Sequence, residues 1–451
     1  MASQEKRNIV IVGGGIIGCS VAYFITRHPK FNPALHTVTL LEATSIAAGA
    51  SGKAGGLLAL WAYPSAIVPL SYRLHKELAE QHNGAQRWGY RRLGCGSIEA
   101  IVKEKDLEAR TTKPPPPSPT PPTTTNTSTA TEGDLPIQST LKDDEAAKDW
   151  EKLPKQDHAA TALLKDSPLP KDLDWIDGSL VQSYEEMGSP GATETAQVHP
   201  FHFTNALADL AREKGVDIRL RAKVTKLDTG PADTHTVVYE DRDTGSIKTI
   251  DGATDVVVAA GPWTGKLLPR TRIEALRAHS VVFEADVSPY AVFTDIQLPV
   301  SYVPEHRRKQ GLKRRHKGSV DPEIYARPFG EVYACGEPDK LIPLPATADQ
   351  VEVDQSQCDD LIAYIGTISP TLAAAPVKAR QACYLPQHIR FGEQRGPLIG
   401  RTSVPGLWVA AGHTCWGIQN GPGTGYLVAA MLFGEEVDGE VAKLDPRRFK
   451  V

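Results

Sequence analysis

Gly13, Gly15 and Gly18 stand directly after Asn8-Ile-Val-Ile-Val12 and directly before Cys19-Ser-Val-Ala-Tyr-Phe-Ile-Thr26. A β-branched apolar run, a GxGxxG turn and a helical stretch together let a backbone meet a pyrophosphate. The first glycine permits the tight turn, the second leaves room for the phosphates, and the third lets helix and strand pack closely. Gly14, Ile16 and Ile17 fill the turn and offer amide donors at the helix start. The next apolar run, Thr37-Val-Thr-Leu-Leu41, ends on Glu42 and Ala43, where an acid can hold the ribose hydroxyls of an adenosine. A plain glycine turn beside a surface glutamate is the bland alternative, and the strand–turn–helix–strand order argues against it.

A second loop of small residues, Ala48-Gly-Ala-Ser-Gly-Lys-Ala-Gly-Gly-Leu57, follows at once. Ser51, Gly52, Lys53, Ala54, Gly55, Gly56 and Leu57 would set more amides, a hydroxyl and an ammonium along a ligand longer than NAD(P) requires. Downstream, Asp255-Val-Val-Val-Ala-Ala260 has the continuous apolar character of a strand buried on both faces, and it stops at Gly261-Pro-Trp263. Ala260, Gly261 and Trp263 are its candidate contacts. Near the C-terminus, Gly406-Leu-Trp-Val-Ala-Ala-Gly412 reads as another buried strand, followed by His413 and a glycine-rich turn over 417–425. Gly417, Ile418, Gly421, Pro422, Gly423 and Thr424 are the candidate contacts there, and a helix is expected over 425–433.

These motifs, in this order, resemble the D-amino-acid oxidase, glycine oxidase and sarcosine oxidase superfamily of FAD-dependent oxidoreductases, and within it a little-characterised fungal branch. The resemblance covers nearly all of the chain outside residues 103–171. It implies an α/β fold: a Rossmann-like FAD-binding domain with a mixed sheet and helices (1–80, 198–276 and 385–451), and a discontinuous substrate domain with an antiparallel sheet (81–102, 172–197 and 277–384). FAD, held noncovalently, would be the cofactor, with Val224 of Ala222-Lys-Val-Thr225 against the adenine. A small amine or amino acid would be oxidised at its carbon–nitrogen bond by hydride transfer to flavin N5, and oxygen would take the electrons.

The same resemblance assigns candidate catalytic residues. Arg327, in Tyr325-Ala-Arg-Pro-Phe-Gly330, matches an arginine that forks onto a substrate carboxylate in glycine-oxidase-like members, a task that suits a planar, permanently charged guanidinium. A domain-packing arginine is the alternative. Lys53 and His413 lie in flavin-proximal motifs, where a cation would stabilise negative charge on the reduced ring; Lys53 can equally serve the diphosphate, and His413 can simply close a strand end. Trp416 either shapes the pocket or belongs to the core. The chain departs from several amino-acid oxidases in carrying Cys383-Tyr-Leu-Pro386 where they carry Arg-Pro, so a two-arginine clamp would need Arg380. Cys383 falls near the cysteine that binds flavin covalently in sarcosine-oxidase relatives, and a buried structural thiol is the other reading. Two rival functions stay open: a flavin-free binding protein like GDI or Rab escort protein, and an NAD(P)-linked dehydrogenase.

The elements that must position these residues have ample chain to work with. The 451 residues suffice for two domains, and 41% hydrophobic with 23% charged residues is ordinary globular composition. A net charge of −4 offers no global attraction to nucleic acid. The six cysteines show no CxxC pair or zinc spacing, so no metal is expected and a reducing compartment suits the chain. No transmembrane run or secretory leader is recognised, and the C-terminus is not Ser-Lys-Leu, so a cytoplasmic location is expected. The basic stretch His306-Arg-Arg-Lys-Gln-Gly-Leu-Lys-Arg-Arg-His-Lys317 reads as a solvated loop, with weak contact to an acidic membrane as the sharper alternative. Residues 103–171 differ in kind: the run Lys113-Pro-Pro-Pro-Pro-Ser-Pro-Thr-Pro-Pro-Thr-Thr-Thr125 cannot bury enough apolar surface to order itself. A disordered insertion is expected there, with a short amphipathic helix near Asp143–Leu153.

Overall fold

The strand Arg7–Val12 pairs in parallel with Asp255–Val258 on one side and His36–Leu41 on the other. The sheet extends to Asp217–Arg219 beyond His36–Leu41, and to Leu407–Ala411 and Leu398–Arg401 beyond Asp255–Val258, which makes six strands, the last antiparallel. Alternation sends successive side chains to opposite faces. Ile9 and Ile11 join the helices Ile16–Arg27, Pro200–Arg212 and Gly417–Leu432 in one core, while Val10 and Val12 meet Val237 and Tyr239 of a three-stranded sheet in another. A strand so enclosed has no polar face, which is why its sequence is apolar throughout. The computed structural model describes residues 5–112, 168–188, 194–230, 234–437 and 439–451. Within the expected insertion, Glu104–Thr112 is a helix; the helix expected near Asp143–Leu153 lies outside the described residues.

One expectation about local structure is corrected. The residues from Gly417 to Gly425 do not form a turn: the helix runs over Gly417–Leu432, with Pro422 inside it. Proline has no amide hydrogen, so the carbonyl of Ile418, one turn earlier, loses its intrahelical donor. His75, on the helix Val68–Gln81, supplies a substitute: its Nε2 lies 3.0 Å from the Ile418 carbonyl and 3.2 Å from that of Gln419. A bond to a carbonyl requires that nitrogen to carry the hydrogen. The glycines serve close packing. A Cβ on Gly421 would meet Ile16 Cγ1 at 2.6 Å, and one on Gly425 would meet the Ser20 backbone carbon at 2.5 Å.

An eight-stranded sheet forms the other half of the molecule, with every pair antiparallel except Tyr290–Gln297 against Gly94–Ile101. One face packs Val281, Phe283, Ile324, Val332 and Ala334 against the helix Gln355–Gly366. The opposite face carries Val282, Tyr325 and Tyr333, with Phe293 beside them. Its two longest strands, Ile273–Glu284 and Val377–Arg390, pair from Ile273 with His388 to Phe283 with Val377. The domain boundaries expected at 276/277 and 384/385 therefore fall inside continuous strands, and this ribbon joins the two halves.

Because the Ser20 backbone cannot move without shifting its helix, Gly425→Ala is expected to cost about 1–3 kcal/mol of stability. Gly318→Ala, which would meet nothing within 4 Å, should stay within about 0.5 kcal/mol of the parent. Urea unfolding of both variants checks the difference.

Candidate functional site

A cavity of about 680 Å³ lies between the six-stranded sheet and the aromatic face of the eight-stranded sheet. That volume is in the range of cofactor and ligand sites. Gly13, Gly15, Ile16 and Ile17 line one end, where Gly13 has φ +113° and a Cβ would strike the Ala259 carbonyl. Glu42 and Ala43 lie beside them. Glu42 Oε2 accepts from the Gly14 amide at 2.8 Å, and Oε1 accepts from the Thr44 amide and hydroxyl at 2.8 and 2.9 Å. Burial nevertheless pushes the Glu42 pKa upward, against those donors. Ser51 Oγ accepts from the Ile16 amide at 2.9 Å and so caps the helix from a separate loop. Lys53, Ala54, Gly55, Gly56 and Leu57 continue the lining, as do Val224, Ala260, Gly261 and Trp263. The Trp263 indole is fixed by donating to the Pro345 carbonyl at 2.9 Å.

A second helix start reaches the cavity, because Gly417 and Ile418 line it. Two helix N-termini facing one space favour anionic groups there. At Gly15 a Cβ would meet only Ser51 Oγ, at 3.0 Å, within 4 Å, so its missing side chain opens onto the cavity; its neighbours Gly13 and Gly18 face backbone instead. This is the cradle a dinucleotide diphosphate requires, and the donor set fits FAD. Gly14, Gly18, Gly52, Gly421, Pro422, Gly423 and Thr424 do not line the cavity. Gly18, Gly52, Gly421 and Gly423 occupy tight packing positions behind it, and Thr424 holds His413.

The candidate catalytic residues separate. Lys53 lines the cavity, where its ammonium donates to the Ala382 carbonyl at 3.0 Å and burial lowers its pKa. His413 also lines it, but its Nε2 is 3.0 Å from Thr424 Oγ1 and burial depresses its pKa to about 3. Burial favours its neutral form, which suits the strand-end reading of His413. Arg327 does not line the cavity. It is fully enclosed, paired with Glu331 at 3.1 Å, bonded to the Ala54 carbonyl and 4.7 Å from the Tyr333 ring centre. Glu331 in turn binds Lys378 at 2.7 Å and His199 at 3.2 Å. A substrate carboxylate would have to displace Glu331, so the clamp expected of Arg327 does not match its setting. Arg380 does not line the cavity either and pairs with Asp359 at 2.9 Å.

Cys383 lines the cavity, with its thiol pushed up to about 11 by burial, partly opposed by Lys53. Trp416 lines it too, its indole nitrogen buried without a partner. Among residues not singled out from sequence, Phe293, Glu323, Tyr325 and Tyr333 form the far wall. A period-two pattern could have found three of them: in Glu323-Ile-Tyr-Ala-Arg327 and Glu331-Val-Tyr-Ala-Cys335 the polar and aromatic residues alternate with aliphatic ones. Elsewhere, Arg307 of the basic stretch binds Asp360 at 2.6 Å and Arg314 binds the Pro299 carbonyl at 3.2 Å, while Arg308, Lys309, Lys313, Arg315 and Lys317 are exposed. Among the described residues no helix is long and apolar enough to cross a membrane, and no group of side chains could hold a metal ion.

Comparison with known proteins agrees with this geometry. Residues 8–431 match the profile of the family described as FAD dependent oxidoreductase. TDA3 of Saccharomyces cerevisiae is 37% identical, over 99% of this chain and 95% of its own length. The protein C1F5.03c of Schizosaccharomyces pombe is 32% identical, over 98% of each. Among solved structures, glycine oxidase from Geobacillus kaustophilus superposes with a TM-score of 0.61 at 20% identity, over 98% of each chain. L-proline dehydrogenase from P. horikoshii gives 0.62 at 16% identity, over 99% of this chain and 98% of its own.

Two predictions concern charge. Glu331→Gln leaves Arg327 buried without its carboxylate and should cost about 3–5 kcal/mol, read as a lowered Tm. Burial works against the Glu331 carboxylate, but His199, Lys378 and Arg327 outweigh it and hold its pKa well below the usual range. This stabilisation is therefore full above about pH 4.3 and fades only as pH falls through the depressed value. Histidine works the other way. Burial lowers His75 to about 4. The unfolded chain takes up the proton first, so stability is full above about pH 6.5 and falls on acidification toward pH 4, by on the order of 2–4 kcal/mol from His75. Unfolding of the parent and of His75→Gln between pH 7 and pH 4 should show a shallower slope in the variant.

Proposed function

The chain belongs to the DAO family of FAD-dependent oxidoreductases, and from that premise we propose that it oxidises the carbon–nitrogen bond of a small amine or amino acid. The observation that carries the reading is the single cavity that runs from the glycine turn and Glu42 to the aromatic wall of the second sheet. FAD, when bound, supplies the two-electron acceptor, taking hydride at N5 from the carbon next to the nitrogen.

The chain's own residues do the remaining work. Gly15, the Ile17 amide and the Ser51 hydroxyl would hold the diphosphate at the helix start, with the Ile16 amide fixing Ser51, and Glu42 would hold the adenosine ribose. Val224, Ala260, Gly261 and Trp263 would hold the adenine portion, and cavity-lining residues of the 51–57 loop would hold the diphosphate and flavin portions. Gly417 and Ile418 would set the second helix N-terminus against the flavin, where its positive end would favour negative charge. Lys53 keeps a positive charge against the reduced ring, a role that neutral His413 cannot share. Phe293, Tyr333 and Trp416 keep water from the reacting carbon. With oxygen as the acceptor, peroxide accompanies turnover, and water hydrolyses the imine product to a carbonyl compound and an amine.

Purified protein should show visible flavin absorption, and acid precipitation should release the flavin to the supernatant. Gly15→Val should lose the flavin, since the added side chain enters the diphosphate cradle. Amines or amino acids that bleach the flavin without oxygen should yield peroxide in air. A colourless protein that takes up no FAD would favour a binding protein, and flavin left in the pellet would assign Cys383 as a covalent anchor.

A further inference from the structure

Glu323 lines the cavity from the strand Glu323–Arg327. Its Oε2 accepts from the Tyr325 hydroxyl and lies 3.8 Å from the Cys335 sulfur, and both partners are neutral. Among the described residues no cation pairs with it; the nearby charge that acts on it is Asp321, of like sign, and burial already raises its pKa. Arg327 shares its strand face but stands two rungs away and is bound to Glu331. A buried carboxylate without a cation is costly, and a cationic ligand removes that cost.

The surroundings of Glu323 are aromatic. Phe293 is its partner across the strands. The Phe293 and Tyr325 rings meet edge to face at 5.9 Å, and Tyr325 stacks on Tyr333 at 5.8 Å. A carboxylate set among π faces recognises an ammonium: the carboxylate meets the charge, and the rings meet the polarised N–CH groups. A zwitterionic amino acid would bring its own carboxylate to a wall whose ionisable group is the acidic Glu323, with both candidate arginines, Arg327 and Arg380, already paired.

We propose that Glu323, Phe293, Tyr325 and Tyr333 form the binding site for the cationic nitrogen of the substrate, and that this substrate is an alkyl or arylalkyl amine without a carboxylate. The assignment of this pocket as the substrate site rests on the reading of the chain as a carbon–nitrogen oxidising flavoenzyme. Glu323 is then a specificity-determining residue, and selection against amino acids comes from the anion it presents.

Flavin-loaded protein can be titrated with benzyltrimethylammonium, which has no nitrogen lone pair and resists oxidation, and with benzoate, which carries the same ring with opposite charge. The cation should shift the flavin bands saturably and benzoate should not. Glu323→Gln should weaken the cation by about tenfold or more. Phe293→Leu, which leaves the carboxylate in place, should weaken it several-fold, and decides the matter alone if Glu323→Gln fails to retain flavin. Saturable benzoate binding without cation binding overturns the proposal, as does cation binding unchanged by the variants. A protein that binds the cation but oxidises no amine keeps this site and loses the proposed reaction.

Discussion

Helices Ile16–Arg27 and Gly417–Leu432 approach each other where Gly421 and Gly425 present no side chain, and that approach brings two positive helix ends to one cavity. A methyl at Gly425 would push the second helix off Ser20 and carry Gly417 and Ile418 away from the space they line. Pro422, in the second turn of that helix, removes one backbone bond, and His75 supplies a substitute donor to the freed carbonyl. Burial lowers the His75 pKa to about 4, so near pH 7 the ring that donates there is neutral and carries its hydrogen on Nε2. Chain segments far apart in sequence are thereby committed to one geometry.

The eight-stranded sheet solves a different problem with a period of two. Its aliphatic face is closed by the helix Gln355–Gly366, and its other face is left to aromatic and ionisable residues. Along that face the cross-strand pairs are Glu323 with Cys335, Tyr325 with Tyr333, and Arg327 with Glu331. Only the last pair neutralises itself. A charge that has found its partner acts as structure, and one that has not remains available to a ligand. The distinction between Arg327 and Glu323 is the distinction between those two states.

The glycine turn, Glu42 and the strands of the six-stranded sheet were legible in the sequence because local patterning decides them. Asn8-Ile-Val-Ile-Val12 needs no distant information to be recognised as a buried strand. The start of the last helix was not legible, since glycines and a proline describe a turn unless a remote histidine donates to the freed carbonyl. The choice between the two readings of Arg327 could not be made from sequence for a related reason. Its partner lies only four residues on, yet Tyr325-Ala-Arg-Pro-Phe-Gly330 gives no sign that the strand Glu331–Cys335 folds back to face it. Glu323 was overlooked because one carboxylate in a strand carries no motif, and its meaning depends on cations that are absent from its neighbourhood among the described residues. Local patterning gives no break at 276 or 384, since the paired strands Ile273–Glu284 and Val377–Arg390 run through both positions.

Leu107, on the helix Glu104–Thr112, packs against the aliphatic face of the eight-stranded sheet, and Leu169 lies in the same cluster. The chain therefore leaves and re-enters the described fold on the side of the sheet away from the cavity. The sheet acts as a bulkhead between the two. Leu107 and Leu169 are thus anchored on one side of that sheet and the ligand space lies on the other, so a change at either anchor reaches the cavity only through the sheet itself.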